Sequence, residues 1–190
     1  RDRRNDVKHL GRSGRADPAA GDHIVIVDTS LSPYRRISGH EYASLVEQVA
    51  RGFVAAGIRP GEVIAIFLAN SWEYAVAYHA ATLAGAIATP LNPTYQEREA
   101  RYQLECSGAA ILVTDGIQIA NMNLQGLPAL RRVYTTRHPV PGTQTFDELL
   151  RPTSYVVPKP DQDPRIALAA LPFSSGTTGL PKPIVHGQGG

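Results

Sequence analysis

The chain has 190 residues, of which 43% are hydrophobic and 19% are charged, a composition typical of a globular protein. Its single cysteine excludes a disulfide framework and a multi-cysteine zinc site. No two of its six histidines have the spacing of a helical metal pair, so we predict no metal site. The net charge of +2 is unevenly spread, because residues 1–15 carry six basic and two acidic side chains while the remainder carries 13 basic and 15 acidic.

Residues 1–21 are predicted to form a basic flexible tail ahead of a slightly acidic folded body. The segment is polar and contains glycine and proline, and no aromatic side chains interleave with its charges. We therefore expect no nucleic-acid partner, and the alternative is an arm that binds nucleic acid or an anionic membrane. Because no run of about 18 apolar residues is present, we also expect no integral membrane contact.

From residue 22 onward, predicted strands alternate with predicted helices. Strands are expected at 23–27, 34–37, 63–68, 87–90, 110–114, 132–135 and 165–171. Helices are expected from Ser38 to Gly57, from Asn70 to about Ala84, from Thr94 to Gly108 and from Thr145 to Leu150, each opened by a capping pattern. This alternation predicts an α/β fold with a mostly parallel sheet and flanking helices.

The segment after Leu171 is the candidate ligand loop, because ligands bind beyond the carboxyl ends of such strands. It reads Ser-Ser-Gly-Thr-Thr-Gly-Leu-Pro-Lys over residues 174–182. Glycines let the backbone turn tightly, successive amides can form an anion-binding concavity, and Lys182 adds a positive charge. The segment therefore suits a polyphosphate and a reaction in which pyrophosphate leaves.

Two common nucleotide-binding patterns are missing from the chain. A Walker A loop would need glycine where Pro181 stands, and no G-x-G-x-x-G follows an earlier strand. A surface loop rich in serine, threonine and glycine is the structural alternative. The position after a buried strand and the order of the residues favour the phosphate site.

The string Ser174–Lys182 resembles the phosphate-loop signature of the adenylate-forming enzymes, which include acyl-CoA and aryl-CoA synthetases, beetle luciferases and peptide-synthetase adenylation domains. Residues 80–95, 99–104 and 109–114 are similar to the branch of 4-coumarate–CoA ligases and fatty acyl–CoA ligases. The likeness covers about residues 22–190. It implies that this range is the amino-terminal portion of the large AMP-binding domain of that fold, which ends just after the phosphate loop.

The resemblance implies an AMP-forming acid–CoA ligase of fatty acid or phenylpropanoid metabolism. ATP with Mg²⁺ and a carboxylic acid would give an acyl-adenylate, and coenzyme A would then displace AMP. The resemblance assigns phosphate contacts to residues of the loop and assigns no catalytic residue. The predicted ATP-binding residues are Ser174, Ser175, Gly176, Thr177, Thr178 and Lys182.

One residue departs from the family pattern, since Pro183 stands where glycine usually follows the Pro-Lys pair. Proline removes a backbone donor, which matters if that amide contacts phosphate and not if it only continues into an edge strand. The acid pocket, the ribose-binding aspartate and the mobile carboxy-terminal domain of the family all correspond to sequence beyond residue 190. We therefore expect the parent protein to be active and this piece alone to be inactive.

Two other functions stay open on the sequence. The first is an adenylating enzyme that passes its acyl group to a carrier protein or to oxidation, and the second is a non-catalytic module that binds nucleotide or a partner. Part of a sheet leaves an open edge, so homodimerisation is one way to cover it. We expect a cytoplasmic protein, or a peroxisomal one in a eukaryote.

Overall fold

The structure is a computed structural model that describes residues 23–158, 168–174, 182–183 and 186–187. The tail predicted over residues 1–21 lies outside the described residues. The chain divides into two compact units, Arg1–Tyr42 and Ala43–Gly190.

The described part of the first unit is a β-hairpin followed by the start of a helix. Strands β1 (Ile24–Asp28) and β2 (Arg35–Ser38) pair antiparallel, with Asp28 opposite Arg35. Both predicted strands are confirmed, one residue further along the chain than expected. The Ser38 hydroxyl accepts a 3.2 Å hydrogen bond from the Glu41 amide, which is the predicted cap of helix α1 (Gly39–Ala55).

Helix α1 ends as the sequence predicts. Gly57 has a φ of 88°, which side-chain-bearing residues adopt only at a cost. The next amide, that of Ile58, donates a 3.0 Å hydrogen bond back to the Phe53 carbonyl and so satisfies the open helix end.

The second unit contains a seven-stranded sheet in the order β11-β8-β4-β3-β5-β6-β7. All neighbouring strands in it are parallel except β11, which pairs antiparallel with β8. The predicted mostly parallel α/β fold is therefore confirmed. The strands of the unit, including a separate β9–β10 pair, are β3 (Val63–Phe67), β4 (Ile87–Pro90), β5 (Ala109–Thr114), β6 (Arg132–Thr135), β7 (Gln144–Thr145), β8 (Leu168–Ala170), β9 (Phe173–Ser174), β10 (Lys182–Pro183) and β11 (His186–Gly187).

The hydrophobic core is formed by the central strands together with the helices that pack on them. Every residue of β3 is buried, as expected of a parallel strand covered on both faces. One face of β3 packs in a cluster with Leu104 of α3 (Glu97–Ser107) and Ile119 of α4 (Gly116–Ile119), while Ile64 and Ile66 alternate to the other face. The helices are α2 (Trp72–Leu83), α3 (Glu97–Ser107), α4 (Gly116–Ile119) and a 3-10 helix (Phe146–Leu150).

The predicted cap of α2 is wrong by one residue. We expected Asn70 to cap this helix together with Glu73, but Ser71 occupies the cap position with extended backbone angles. Its hydroxyl accepts a 3.3 Å hydrogen bond from the Tyr74 amide. Glu73 is 5% exposed and lies 3.8 Å from the Arg137 guanidinium, so it does not turn back to the helix start.

The predicted cap of α3 is also wrong. Thr94 and Glu97 have the capping-box spacing, but the Thr94 amide and hydroxyl both donate to Asn92 Oδ1, at 3.0 and 2.9 Å. Thr94 therefore closes a turn formed by Asn92. Helix α3 begins at Glu97, after Gln96, which makes no side-chain capping hydrogen bond.

Several strands are too short to be predicted from the sequence. Strand β7 and strands β9 to β11 have two residues each, too few for a period-2 pattern. The strand predicted at 165–171 is present as β8, whose bounds are 168–170, and residues 165–167 lie outside the described residues. Within the described ranges, no helix combines the length and hydropathy that a bilayer crossing requires.

Candidate functional site

Strand β8 delivers the candidate loop to the carboxyl edge of the sheet. Ala170 lies beside Ala88 of β4 in the parallel pair. The Leu171 amide then donates a 2.8 Å hydrogen bond to the Ala88 carbonyl, which extends the pairing by one residue. The chain therefore leaves the sheet at Pro172, on the edge where parallel α/β sheets bind ligands.

The two ends of the predicted phosphate loop meet in a short antiparallel pair. Ser174 of β9 lies opposite Lys182 of β10, and Phe173 lies opposite Pro183. Residues opposite each other in such a pair have Cα atoms about 4.5–5.5 Å apart. Ser174 and Lys182, which flank residues 175–181, therefore lie opposite each other; we refer to the segment 175–181 as the bend.

The structure describes two of the six predicted phosphate-binding residues. It gives the backbone of Ser174 and places the Lys182 side chain in solvent, where an ammonium group can reach an anion. Ser175, Gly176, Thr177 and Thr178 lie outside the described residues, so their phosphate contacts stay a prediction.

Pro183 lies in strand β10, which pairs with one strand, β9, among the described residues. Among the described residues, strands β9 and β10 form a two-stranded sheet, in which each of them is an edge strand. Edge strands tolerate proline because one side of the strand needs no ladder hydrogen bonds. Of the two roles that the sequence left open for this position, the geometry favours the edge strand.

Two buried polar side chains connect helix α3 and strand β4 to the segment that leads into the loop. The Thr89 hydroxyl donates a 2.7 Å hydrogen bond to the Leu171 carbonyl. Gln103 Nε2 donates to the Thr89 hydroxyl at 2.9 Å and to the Pro90 carbonyl at 3.0 Å. Thr89 and Gln103 are both 0% exposed. We call this chain of hydrogen bonds the Gln103–Thr89–Leu171 network.

Sequence reasoning missed both side chains of this network. The available signal was a polar residue inside a short apolar strand, Ile-Ala-Thr-Pro, since a buried hydroxyl requires a partner. The identity of that partner was not accessible, because Leu171 lies 82 positions further along the chain.

A second group of polar residues follows strands β5 and β6 at the same edge of the sheet. Asp115 caps α4 by accepting a 3.0 Å hydrogen bond from the Ile117 amide, and it lies 2.9 Å from His138 Nδ1. A Cβ atom at Gly116 would lie 1.6 Å from the His138 carbonyl oxygen, so only glycine fits there. Within the described ranges, no group of three or more His, Cys, Asp or Glu side chains is placed to hold a metal ion.

A cavity lies between the α4 region and the loop that joins β6 to β7. It has a volume of about 740 Å³, and its lining includes Met122, Leu124, Val133 and Val140. None of its lining residues belongs to β8, β9 or β10. The described residues of β8, β9 and β10 therefore take no part in lining this cavity.

Comparison with known protein sequences finds a family model that matches most of the chain and relatives that resemble it in sequence. The sequence model of the family described as AMP-binding enzyme matches residues 15–190. The 4-coumarate–CoA ligase 3 of Arabidopsis thaliana is 37% identical over 147 residues, which cover 74% of this chain and 25% of the plant protein.

Comparison with solved structures gives the same fold. An anthranilate CoA ligase in complex with anthranoyl-AMP matches with a TM-score of 0.76 and 23% identity, over 90% of this chain and 33% of that chain. The o-succinylbenzoate CoA synthetase of Bacillus subtilis, in complex with its acyl-adenylate intermediate, matches with a TM-score of 0.61 and 26% identity, over 80% of this chain and 37% of that chain. The chain thus spans a quarter to somewhat over a third of these proteins.

Proposed function

Because this chain belongs to the AMP-binding enzyme family, we propose that it is the amino-terminal part of an acid–CoA ligase that activates a carboxylic acid with ATP. The observation that carries the proposal is the pairing of Ser174 with Lys182 at the carboxyl edge of the sheet. This pairing joins the two ends of the hydroxyl- and glycine-rich bend where a nucleotide would lie.

The proposed chemistry has two steps. In the first, a carboxylate oxygen forms a bond to the α-phosphorus of ATP while the bond to the bridging oxygen of pyrophosphate breaks and its electrons stay with pyrophosphate. In the second, the thiolate of coenzyme A attacks the acyl carbon, and AMP leaves with its phosphate oxygen. The first step needs cations and donors close to the β- and γ-phosphates, because negative charge grows there as the bond breaks.

Lys182 supplies the cation of this proposed site. Its side chain is exposed and begins directly opposite Ser174 at the base of the bend. An ammonium group on a long flexible stem binds phosphate as a point charge and can follow a short movement of the leaving group. Lys182 would therefore bind the β- or γ-phosphate of ATP and stabilise pyrophosphate as it forms.

Mg²⁺ enters the proposed reaction together with ATP, as part of the substrate. Its positive charge offsets that of the phosphate oxygens. We propose that the metal ion is held mainly by phosphate oxygens and water, as is usual for Mg²⁺ bound with a nucleotide.

Coenzyme A is proposed as the acyl acceptor because the plant relative is named a CoA ligase. The o-succinylbenzoate synthetase, in turn, was solved with an acyl-adenylate, the intermediate that the first step produces. A module without catalytic function gains no support from Pro183, since this residue lies in an edge strand. We infer that the carboxylic acid is bound by residues beyond those of this chain, as in the family pattern.

Pyrophosphate exchange tests the proposed first step. A longer protein that carries this chain should incorporate labelled pyrophosphate into ATP when the correct acid from a panel is added, and Lys182→Ala should lower that exchange at least tenfold (about 1.4 kcal/mol). The 190-residue chain alone should give no exchange. Exchange that is absent with every acid in the folded longer protein would refute the activity. Exchange by the short chain alone would refute its predicted inactivity.

Self-association stays a separate proposal. Several large apolar side chains are more than 40% exposed in the described residues, among them Leu83 and Ile117, and unpaired apolar surface favours association. Light scattering over a range of concentrations tests it, and a monodisperse monomer throughout would contradict it.

A further inference from the structure

We propose that Thr89 and Gln103 are positioning residues for the phosphate-binding bend. They act through the backbone of Leu171, three positions before Ser174. This inference rests on the proposed function, because it states how the sheet aims a loop that binds ATP. Its basis is the Gln103–Thr89–Leu171 network and the complete burial of both side chains.

Only one assignment of donors and acceptors fits the hydrogen bonds of this network. The Pro90 carbonyl can only accept, so the group of Gln103 that lies 3.0 Å from it is the amide nitrogen Nε2. The same nitrogen donates to the Thr89 hydroxyl, whose own hydrogen is then directed to the Leu171 carbonyl at 2.7 Å. Helix α3 therefore fixes the rotation of a hydroxyl on β4, and that hydroxyl fixes a carbonyl beyond β8.

Both backbone groups of Leu171 are bound to strand β4. Its amide donates to the Ala88 carbonyl at 2.8 Å, and its carbonyl accepts from the Thr89 hydroxyl at 2.7 Å. The first hydrogen bond orients the peptide that joins Ala170 to Leu171, and the second orients the peptide that joins Leu171 to Pro172, whose φ is fixed. The direction in which β9 leaves the sheet is therefore determined two residues before Phe173–Ser174 begins to pair with β10.

Packing alone does not account for Gln103. It is 0% exposed on a helix whose other buried residues, Ala100 and Leu104, are apolar. Its Oε1 atom accepts no hydrogen bond from the described residues, and burying such a group is costly. Leucine or methionine would fill the space without that cost, so the side chain is best explained by the hydrogen bonds that its nitrogen donates.

Thr114 provides a matched control within the same sheet. It is also 0% exposed and ends strand β5, which β3 separates from β4, and its hydroxyl donates a 3.0 Å hydrogen bond to the Phe67 carbonyl of β3. Phe67 does not lead into the phosphate-binding bend. Replacing either threonine with valine removes one buried hydroxyl and keeps the side-chain shape, so the two variants should lose stability to a similar extent.

The test is a calorimetric titration with ATP·Mg²⁺ of a longer protein that carries this chain, together with amide hydrogen exchange without ligand. Thr89→Val should raise Kd about three- to tenfold, the effect of one lost buried hydrogen bond, and should speed exchange at the Leu171 amide. Thr89→Ser should restore both values, and Thr114→Val should leave both unchanged. If Thr89→Val does not fold, Gln103→Met gives the same test from helix α3.

The outcomes separate the two proposals. If the wild type binds no ATP·Mg²⁺, the proposed function fails, and with it the role of the network in binding. If the wild type binds but Thr89→Val and Thr114→Val have equal Kd values, the positioning role is overturned while the proposed function stands. If Thr89→Ser behaves like Thr89→Val, the hydroxyl is not the active group and the inference is also overturned.

Discussion

Lys182 lies directly opposite Ser174 in the antiparallel pair of β9 and β10. The residues between them, 175–181, contain two glycines and two threonines as well as Ser175. Glycines, hydroxyl groups and a lysine in this order are the residue types that suit a phosphate site. The pairing supports our proposal that the segment is a phosphate site.

Replacing Pro183 with glycine, the usual family residue, should change ATP·Mg²⁺ affinity less than twofold. Pro183 continues an edge strand, where a backbone amide is not required. Calorimetric titration of the wild type and the Pro183→Gly variant measures this directly. An affinity gain of tenfold or more in the variant would show that the missing amide is a phosphate ligand.

The sequence predicts the central sheet well because hydrophobic runs bounded by glycine mark buried strands. Strands β4 and β6 have the predicted bounds, and Gly57 and Gly108 end their helices as expected. The two cap errors differ in origin, since Ser71 replaces Asn70 as the acceptor at α2, whereas at α3 Thr94 is bound to Asn92 and Gln96 makes no side-chain cap. The Thr89 contact to Leu171 depends on strands that are far apart in the chain, so no local pattern reveals it.

Ser71→Ala should destabilise the second unit by about 1 kcal/mol, because it removes the acceptor of the Tyr74 amide. The matched variant Asn70→Ala should have little effect, since Asn70 is exposed and is not the cap. Urea unfolding followed by circular dichroism compares the two variants. A larger loss of stability in Asn70→Ala than in Ser71→Ala would contradict this and would indicate that Asn70 is the cap, as the sequence pattern predicted.

Gly52→Ala should destabilise the protein by about 1–3 kcal/mol, although alanine is the better helix former. A Cβ atom at residue 52 would lie 2.3 Å from the carbonyl oxygen of Leu149 and 2.7 Å from its Cα atom. Helix α1 and the 3-10 helix would have to separate. Thermal unfolding measures the loss, with Ser44→Ala on the exposed face of α1 as the control. A stabilised Gly52→Ala variant would contradict this close approach.

Glu62 should contribute to stability in a pH-dependent way. Hydrogen bonds from the Arg131 guanidinium, at 2.8 and 3.0 Å, hold the pKa of Glu62 below its ordinary value of 4.5, against the opposing effect of burial. A lowered folded-state pKa means that this stabilisation is complete above the unfolded pKa and is lost as the pH falls through the folded pKa.

Glu62→Gln should therefore lower stability at neutral pH by about 0.5–1 kcal/mol, a small value because solvent screens the partly exposed pair. The difference from the wild type should vanish well below pH 4.5. Urea unfolding at both pH values checks this, with Glu47→Gln, from the more exposed Glu47–Arg51 pair, as a control of smaller effect. A difference that does not change with pH would argue against the Arg131 contact.

The most direct measurement of the central claim is a titration of ATP·Mg²⁺ into the wild-type chain and into Lys182→Ala. Arg51→Ala serves as the control, because it removes an exposed cation near the end of α1. We predict saturable binding by the wild type and by Arg51→Ala, and a loss of affinity of at least tenfold in Lys182→Ala (about 1.4 kcal/mol). Equal affinities of Lys182→Ala and the wild type would contradict the phosphate-binding role of the bend.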